Sequence, residues 1–231
     1  PLLIQSLNLI PENLPKIGND QHMNFLLLWN HLQETLQGDA KERLNGVARS
    51  QKMHLVAKKM LVKGNVGQRL LAMAVLGHLG EDSVWEQLKE IAAGENETLA
   101  MAAASALAKI NPEAAVLVVV PLIAAHYDWP NYKIVNILNE LGPQVISRPL
   151  TDAAGEVGPR DKARLIRFMR FADSAVVLPG LRKILTDDPT DDVLSAGLNL
   201  LGHFGDRRDI EMVKSFLNHP KWFVRVQAVS A

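Results

Sequence analysis

The 231-residue chain contains no cysteine, which excludes disulfides, thiolate metal sites and cysteine nucleophiles. That composition fits a reducing compartment, so cytoplasm is the expected location. A surplus of one charge sign is also missing, because 25 Lys plus Arg balance 25 Asp plus Glu. The overall field therefore offers no bulk attraction to nucleic acid or to an anionic membrane, and an electrostatic partner has to be met by a local patch. The longest strongly apolar run, residues 114–125 (AAVLVVVPLIAA), is too short to span a bilayer and is interrupted by Pro121. It reads as a buried helix. The sequence opens at Pro1 without Met or a charged n-region, so no signal peptide is visible and a native segment upstream is expected.

The patterns that usually carry chemistry are missing as well. The seven histidines are dispersed at positions 22, 31, 54, 78, 126, 203 and 219, none is followed directly by Glu, and no HExxH occurs. There is no Walker-type loop, and Gly77 and Gly80 in LGHLG read as glycines that end a helix. Asp187, Asp188, Asp191 and Asp192 in TDDPTDD lack the spacing of an EF-hand and read as an N-cap cluster between helices. No catalytic residue, metal site or cofactor is expected.

What the chain does have is 48% hydrophobic residues, ample for an extensive core, and an internal repeat. Residues 71–82, 102–113, 133–144, 164–175 and 196–207 superpose residue type on residue type, and the tail 227–231 begins a further copy. One aligned column reads Val75, Ala106, Ile137, Phe168, Leu200, Ala231, with spacings of 31, 31, 31, 32 and 31. Within each copy apolar residues recur at helical spacing, as in Ala72, Val75, Leu76 and Leu79. A second apolar segment follows each after a short break of Gly, Asn, Asp or Pro, so the unit is a pair of antiparallel helices. Outer helices are predicted near 22–37, 51–63, 81–93, 112–125, 143–154, 174–186 and 207–218. Inner helices are predicted near 39–49, 66–79, 97–110, 130–141, 159–171, 190–204 and 221–231. Residues 1–21, with three prolines, read as an irregular lead-in.

Two-helix units of this length with small residues crowding the second helix resemble HEAT repeats of the short bacterial, phycobilisome-lyase-like type. The most specific stretch is 219–231, HPKWFVRVQAVSA, where Pro220, Val224, Arg225 and Ala228 are similar to the family's turn, Val-Arg pair and Ala-rich helix. Arg69 stands at the equivalent place, and Pro121, Pro149 and Pro179 suit prolines in outer helices. Ala100, Lys162 and Leu194 replace the arginine in other copies. The resemblance implies an all-α, right-handed α-solenoid of about seven antiparallel helix pairs over 22–231, HEAT- or armadillo-like. It also implies a Leu-Gly and a capping helix after Ala231, so the native protein is expected to continue, and the stripe of Val224, Ala228 and Ala231 is expected to lack a covering helix.

The fifth inner helix departs from the pattern. Arg160, Arg164 and Arg167 are spaced i, i+4, i+7 and share one edge. Through the repeat, Trp129 falls beside Arg160, Lys133 beside Arg164 and Asn136 beside Arg167, while the following helix supplies Asp192, Ala196 and Asn199. The competing reading is an ordinary solvated face partnered by Asp161 or Asp192. His78 and His203 share a column at a helix C-terminus, where they complement the dipole.

The expected function is a non-catalytic scaffold that binds another protein on the concave face, through an acidic or phosphorylated segment engaging the arginines. Balanced charge argues against nucleic acid. Two alternatives stay open: a HEAT-like enzyme of the alkylpurine DNA glycosylase or bilin lyase type, for which Trp129 beside Arg160 speaks, and an adaptor domain with a membrane anchor upstream.

Overall fold

A computed structural model describes residues 14–231; the beginning of the irregular lead-in, residues 1–13, lies outside the described residues. The chain is all-α: fourteen α-helices and no strand occur among the described residues. They are α1 His22–Thr35, α2 Asp39–Ser50, α3 Met53–Lys63, α4 Val66–His78, α5 Trp85–Ala92, α6 Glu97–Ile110 and α7 Pro112–Ala125. There follow α8 Asn131–Leu141, α9 Pro143–Glu156, α10 Pro159–Phe168, α11 Ser174–Asp187, α12 Asp191–Phe204, α13 Ile210–Ser215 and α14 Trp222–Ser230. Each lies within a few residues of a helix predicted from periodicity. Short 3-10 turns at Asn19–Gln21, Asp82–Val84, Met169–Phe171 and Arg207–Asp209 lead into or extend them. No helix among the described residues is long and apolar enough to cross a membrane.

Local chemistry sets the helix ends. Asn65 and Gln68 form a reciprocal capping box at α4, and the Asn96 side chain accepts from the Leu99 N–H at α6. At the other end of α4, Gly80 takes φ +61°, so that its N–H reaches the Gly77 carbonyl and the Glu81 N–H reaches that of Leu76. Pro121 and Pro179 lie inside α7 and α11. The carbonyls they leave unpaired belong to Leu117 and Ala175, both on the exposed side, where water can take them.

The helices group into two compact units, Pro1–Asn111 and Pro112–Ala231. In the first, α3 packs on α4, α5 on α6, and α4 directly on α6, with α1 against α4. Gly77 does more than end a helix: it is buried, and a Cβ there would lie 3.0 Å from the Ala106 Cα. The missing side chain lets two backbones approach. In the second unit, α9 packs against α7, α10 and α11, and α12 lies against both α10 and α14. The aligned column is buried at Val75 and Ala106 in the first unit and at Ile137, Phe168 and Leu200 in the second. Ala231 is exposed. Contrary to expectation, Val224 and Ala228 do not await a cover, since α14 packs on α12 and both are buried. The outward apolar residues of α14 are instead Trp222, Val226 and Val229.

Candidate functional site

The three arginines of α10 leave one helical edge for different destinations. Arg164 donates from Nε to the Ile123 carbonyl at 2.7 Å and from Nη2 to the His126 carbonyl at 2.8 Å. It thus caps the C-terminal end of α7, where carbonyls lack intrahelical partners and the dipole favours a cation. Burial lowers its pKa from the ordinary guanidinium value, opposed by Tyr127; the guanidinium remains a cation. Arg160 is exposed and lies 3.9 Å above the Tyr127 ring. The Tyr127 hydroxyl donates to the Asp161 carboxylate, and that bond raises the tyrosine pKa above 10.0. Arg167 is exposed, with no ion pair among the described residues.

Trp129 does not stand in the patch. Its side chain is buried at 1% exposure and stacks on His126 with ring centroids 5.1 Å apart. The aromatic beside the arginines is Tyr127, two residues earlier in the α7–α8 connection. Burial favours the larger indole, while the exposed phenol keeps its hydroxyl on the half-buried Asp161. Lys133 is half-buried and Asn136 exposed on α8. The main neighbours of α10 are α9, α12 and α7 rather than α8, so neither residue is bonded to the arginines as the repeat mapping placed them.

On the other side the structure brings Arg167 and Asn199 to one cleft, while Arg160, Arg164 and Asp192 are not among its lining residues. Arg167 lines a cleft of about 240 Å3 with Arg170, Asn199, His203, Gln227 and Ser230, floored by Ile166, Ala196, Leu200 and Gly202. These come from α10, the 3-10 turn after it, α12 and α14. Arg167 and Arg170 are three residues apart across the change from α-helix to 3-10, a spacing that stacks side chains over one another. Asn199 Nδ2 donates to Gln227 Oε1 at 3.0 Å, leaving the Gln227 amide nitrogen for another acceptor. Gly202 lets α14 come close, since a Cβ there would lie 2.9 Å from the Ala231 Cα. No carboxylate lines the cleft. Arg170, Gln227 and Ser230 were not picked from the sequence and His203 was read as a helix-end cap, yet a signal existed: extending the aligned columns puts Arg167, Asn199 and Ser230 in one row.

Several other charged groups in this unit are engaged structurally. Lys162 pairs with Asp188 at 2.7 Å, and Arg182 bonds both oxygens of the buried Asp209, at 2.7 and 2.9 Å, and Asp206 at 3.3 Å. Within the acidic cluster, Asp191 and Asp192 occupy the first turn of α12, whereas Asp188 is held by Lys162. An open apolar groove of about 670 Å3 runs beside Leu201, Ile210, Val213, Leu217 and Val229. Neither a protein-family model nor a curated protein matches this chain.

Proposed function

We propose that this chain is a non-catalytic binding module, a HEAT-like right-handed solenoid that takes a segment of another protein on the face formed by α10, α12 and α14. The period of about 31 residues supports the repeat architecture, and stacked repeats offer extended surfaces suited to chains. The observation that carries the reading is the cleft, where two exposed guanidiniums and an imidazole converge with no carboxylate among the lining residues. Cations with no ion pair among the described residues are ready donors for an anionic group. The glycosylase-type alternative drew on Trp129 beside Arg160, and that ring is buried.

The test is a photo-reactive residue placed at Asn199, with Val176 on α11 as control, in the cell that makes the protein. Asn199 is expected to yield a protein adduct that is lost in an Arg167→Glu, Arg170→Glu variant. Adducts from Val176 alone, or undiminished adducts in the variant, would contradict the reading.

A further inference from the structure

We infer that the cleft at α10, α12 and α14 recognises a phosphate monoester, a phosphoserine or phosphothreonine in the partner segment, rather than aspartate or glutamate side chains; this rests on the protein-binding reading above. The donors arrive from separate directions: Arg167 from α10, Arg170 from the 3-10 turn, His203 from α12 and the Gln227 amide from α14. A planar carboxylate is satisfied by the fork of one guanidinium and would leave the rest of that set idle. A phosphate ester brings three acceptor oxygens in a tetrahedral array and about −1.5 to −2 charge, so both arginines and a third donor have an oxygen to meet. The space, about 240 Å3, exceeds what a carboxylate alone would fill.

One effect opposes an anion here. The cleft lies at the C-terminal ends of α10, α12 and α14, each of which carries about −0.5 elementary charge. Two full guanidinium charges outweigh that, and the balance argues for a ligand whose own charge is large enough to hold both arginines. A nucleic acid would need a continuing row of cations along its phosphates. Instead, the N-terminal turns of α10 and α12 carry Asp161, Asp191 and Asp192, carboxylates that interrupt any such row.

The inference is tested in two arms on the whole chain. In the first, inorganic phosphate and phenyl phosphate are titrated into isotope-labelled protein at constant ionic strength, with acetate as the comparison. Both phosphates should shift the Arg167 and Arg170 Nε–H and the Gln227 amide signals, and acetate should not. Arg167→Lys with Arg170→Lys, which keeps the charge and loses the fork, should weaken the effect by about tenfold, and Arg167→Ala with Arg170→Ala should remove it at an unchanged melting temperature. In the second arm, degenerate peptides with a fixed phosphoserine should bind at least about tenfold more tightly than the same pool with glutamate, a gap of about 1.4 kcal/mol. Equal response to acetate, equal binding of the glutamate pool, phosphate shifts that persist in the double alanine variant, or an oligonucleotide that displaces the phosphopeptides would each overturn the inference. An adduct at Asn199 that survives phosphatase treatment would remove the phosphate inference and leave the protein-binding reading standing. Phosphate shifts without any protein adduct would remove both.

Discussion

The unit ending at Asn111 and the unit beginning at Pro112 put similar polar side chains to different ends. In the first, Gln33 bonds Asn45 at 2.8 Å, Asn45 bonds the His78 carbonyl at 3.1 Å, and Arg49 donates to the Leu79 carbonyl, so the end of α4 is capped by side chains distant in sequence. Glu81 then joins Lys58 at 3.1 Å and Arg49 at 3.6 Å. In the second, Arg164 does for α7 what Arg49 does for α4, yet Arg167, one helical turn further along, has no such partner among the described residues and opens onto the cleft. Partnership, not residue type or spacing, separates a structural arginine from one available to a ligand.

The comparison breaks hardest at the second unit's ion pairs. Replacing Arg182 with Leu strands the buried Asp209 carboxylate and should cost about 3 kcal/mol, read as a shift in denaturant midpoint at constant slope. Glu81→Gln, whose partners are more exposed, should cost only about 1 kcal/mol. The pH profile follows. The hydrogen bond from Arg182 depresses the Asp209 pKa below 3.8, and that from Lys162 does the same for Asp188. A depressed carboxylate contributes stability that is fully present above its unfolded pKa, near 4, and is lost as pH falls through the folded value. Wild-type stability should therefore decline below about pH 4, and the decline should be shallower in Arg182→Leu. An identical acid profile in the two proteins would contradict this assignment.

Next in size are the caps. Arg164→Met and Arg49→Met each leave helix-end carbonyls unpaired, and each should lower stability by about 1–2 kcal/mol in equilibrium unfolding. If Arg164→Met were neutral, its two carbonyl contacts would be dispensable and the contrast with Arg167 would lose its basis.

The two buried tryptophans sharpen the comparison at a smaller scale. The Trp29 indole N–H donates to the Leu44 carbonyl at 2.9 Å, whereas that of Trp129 is buried and meets no acceptor among the described residues. Trp29→Phe should therefore cost about 1 kcal/mol more than Trp129→Phe, measurable as the difference between the two melting temperatures. Equal costs would mean that ring volume alone decides both.

Helix positions were legible in the sequence because apolar period and capping residues act locally: Asn65 with Gln68, and the recurrent column through Val75 and Phe168, depend on neighbours in the same or the adjacent copy. The patch was legible only in part. That Arg167 faces Asn199 followed from the repeat, but Arg164's acceptors are backbone carbonyls, which no residue type announces. Trp129 and Tyr127 exchanged places because the α7–α8 connection is irregular, and periodicity carries no information about which ring a turn folds inward. Arg170 sits where α10 tightens into 3-10 geometry, a change that shifts its direction and that helical spacing does not reveal.

The most direct test of the central claim compares protein adduct yield at Asn199 in the wild type, in Arg160→Ala and in the Arg167→Ala, Arg170→Ala pair, with melting temperatures recorded alongside. Exposed positions tolerate substitution within about 0.5 kcal/mol, so all three proteins should unfold together. The account predicts a drop of about tenfold or more in the double variant and a yield close to wild type in Arg160→Ala. An undiminished yield in the double variant, or an equal loss in Arg160→Ala, would contradict it.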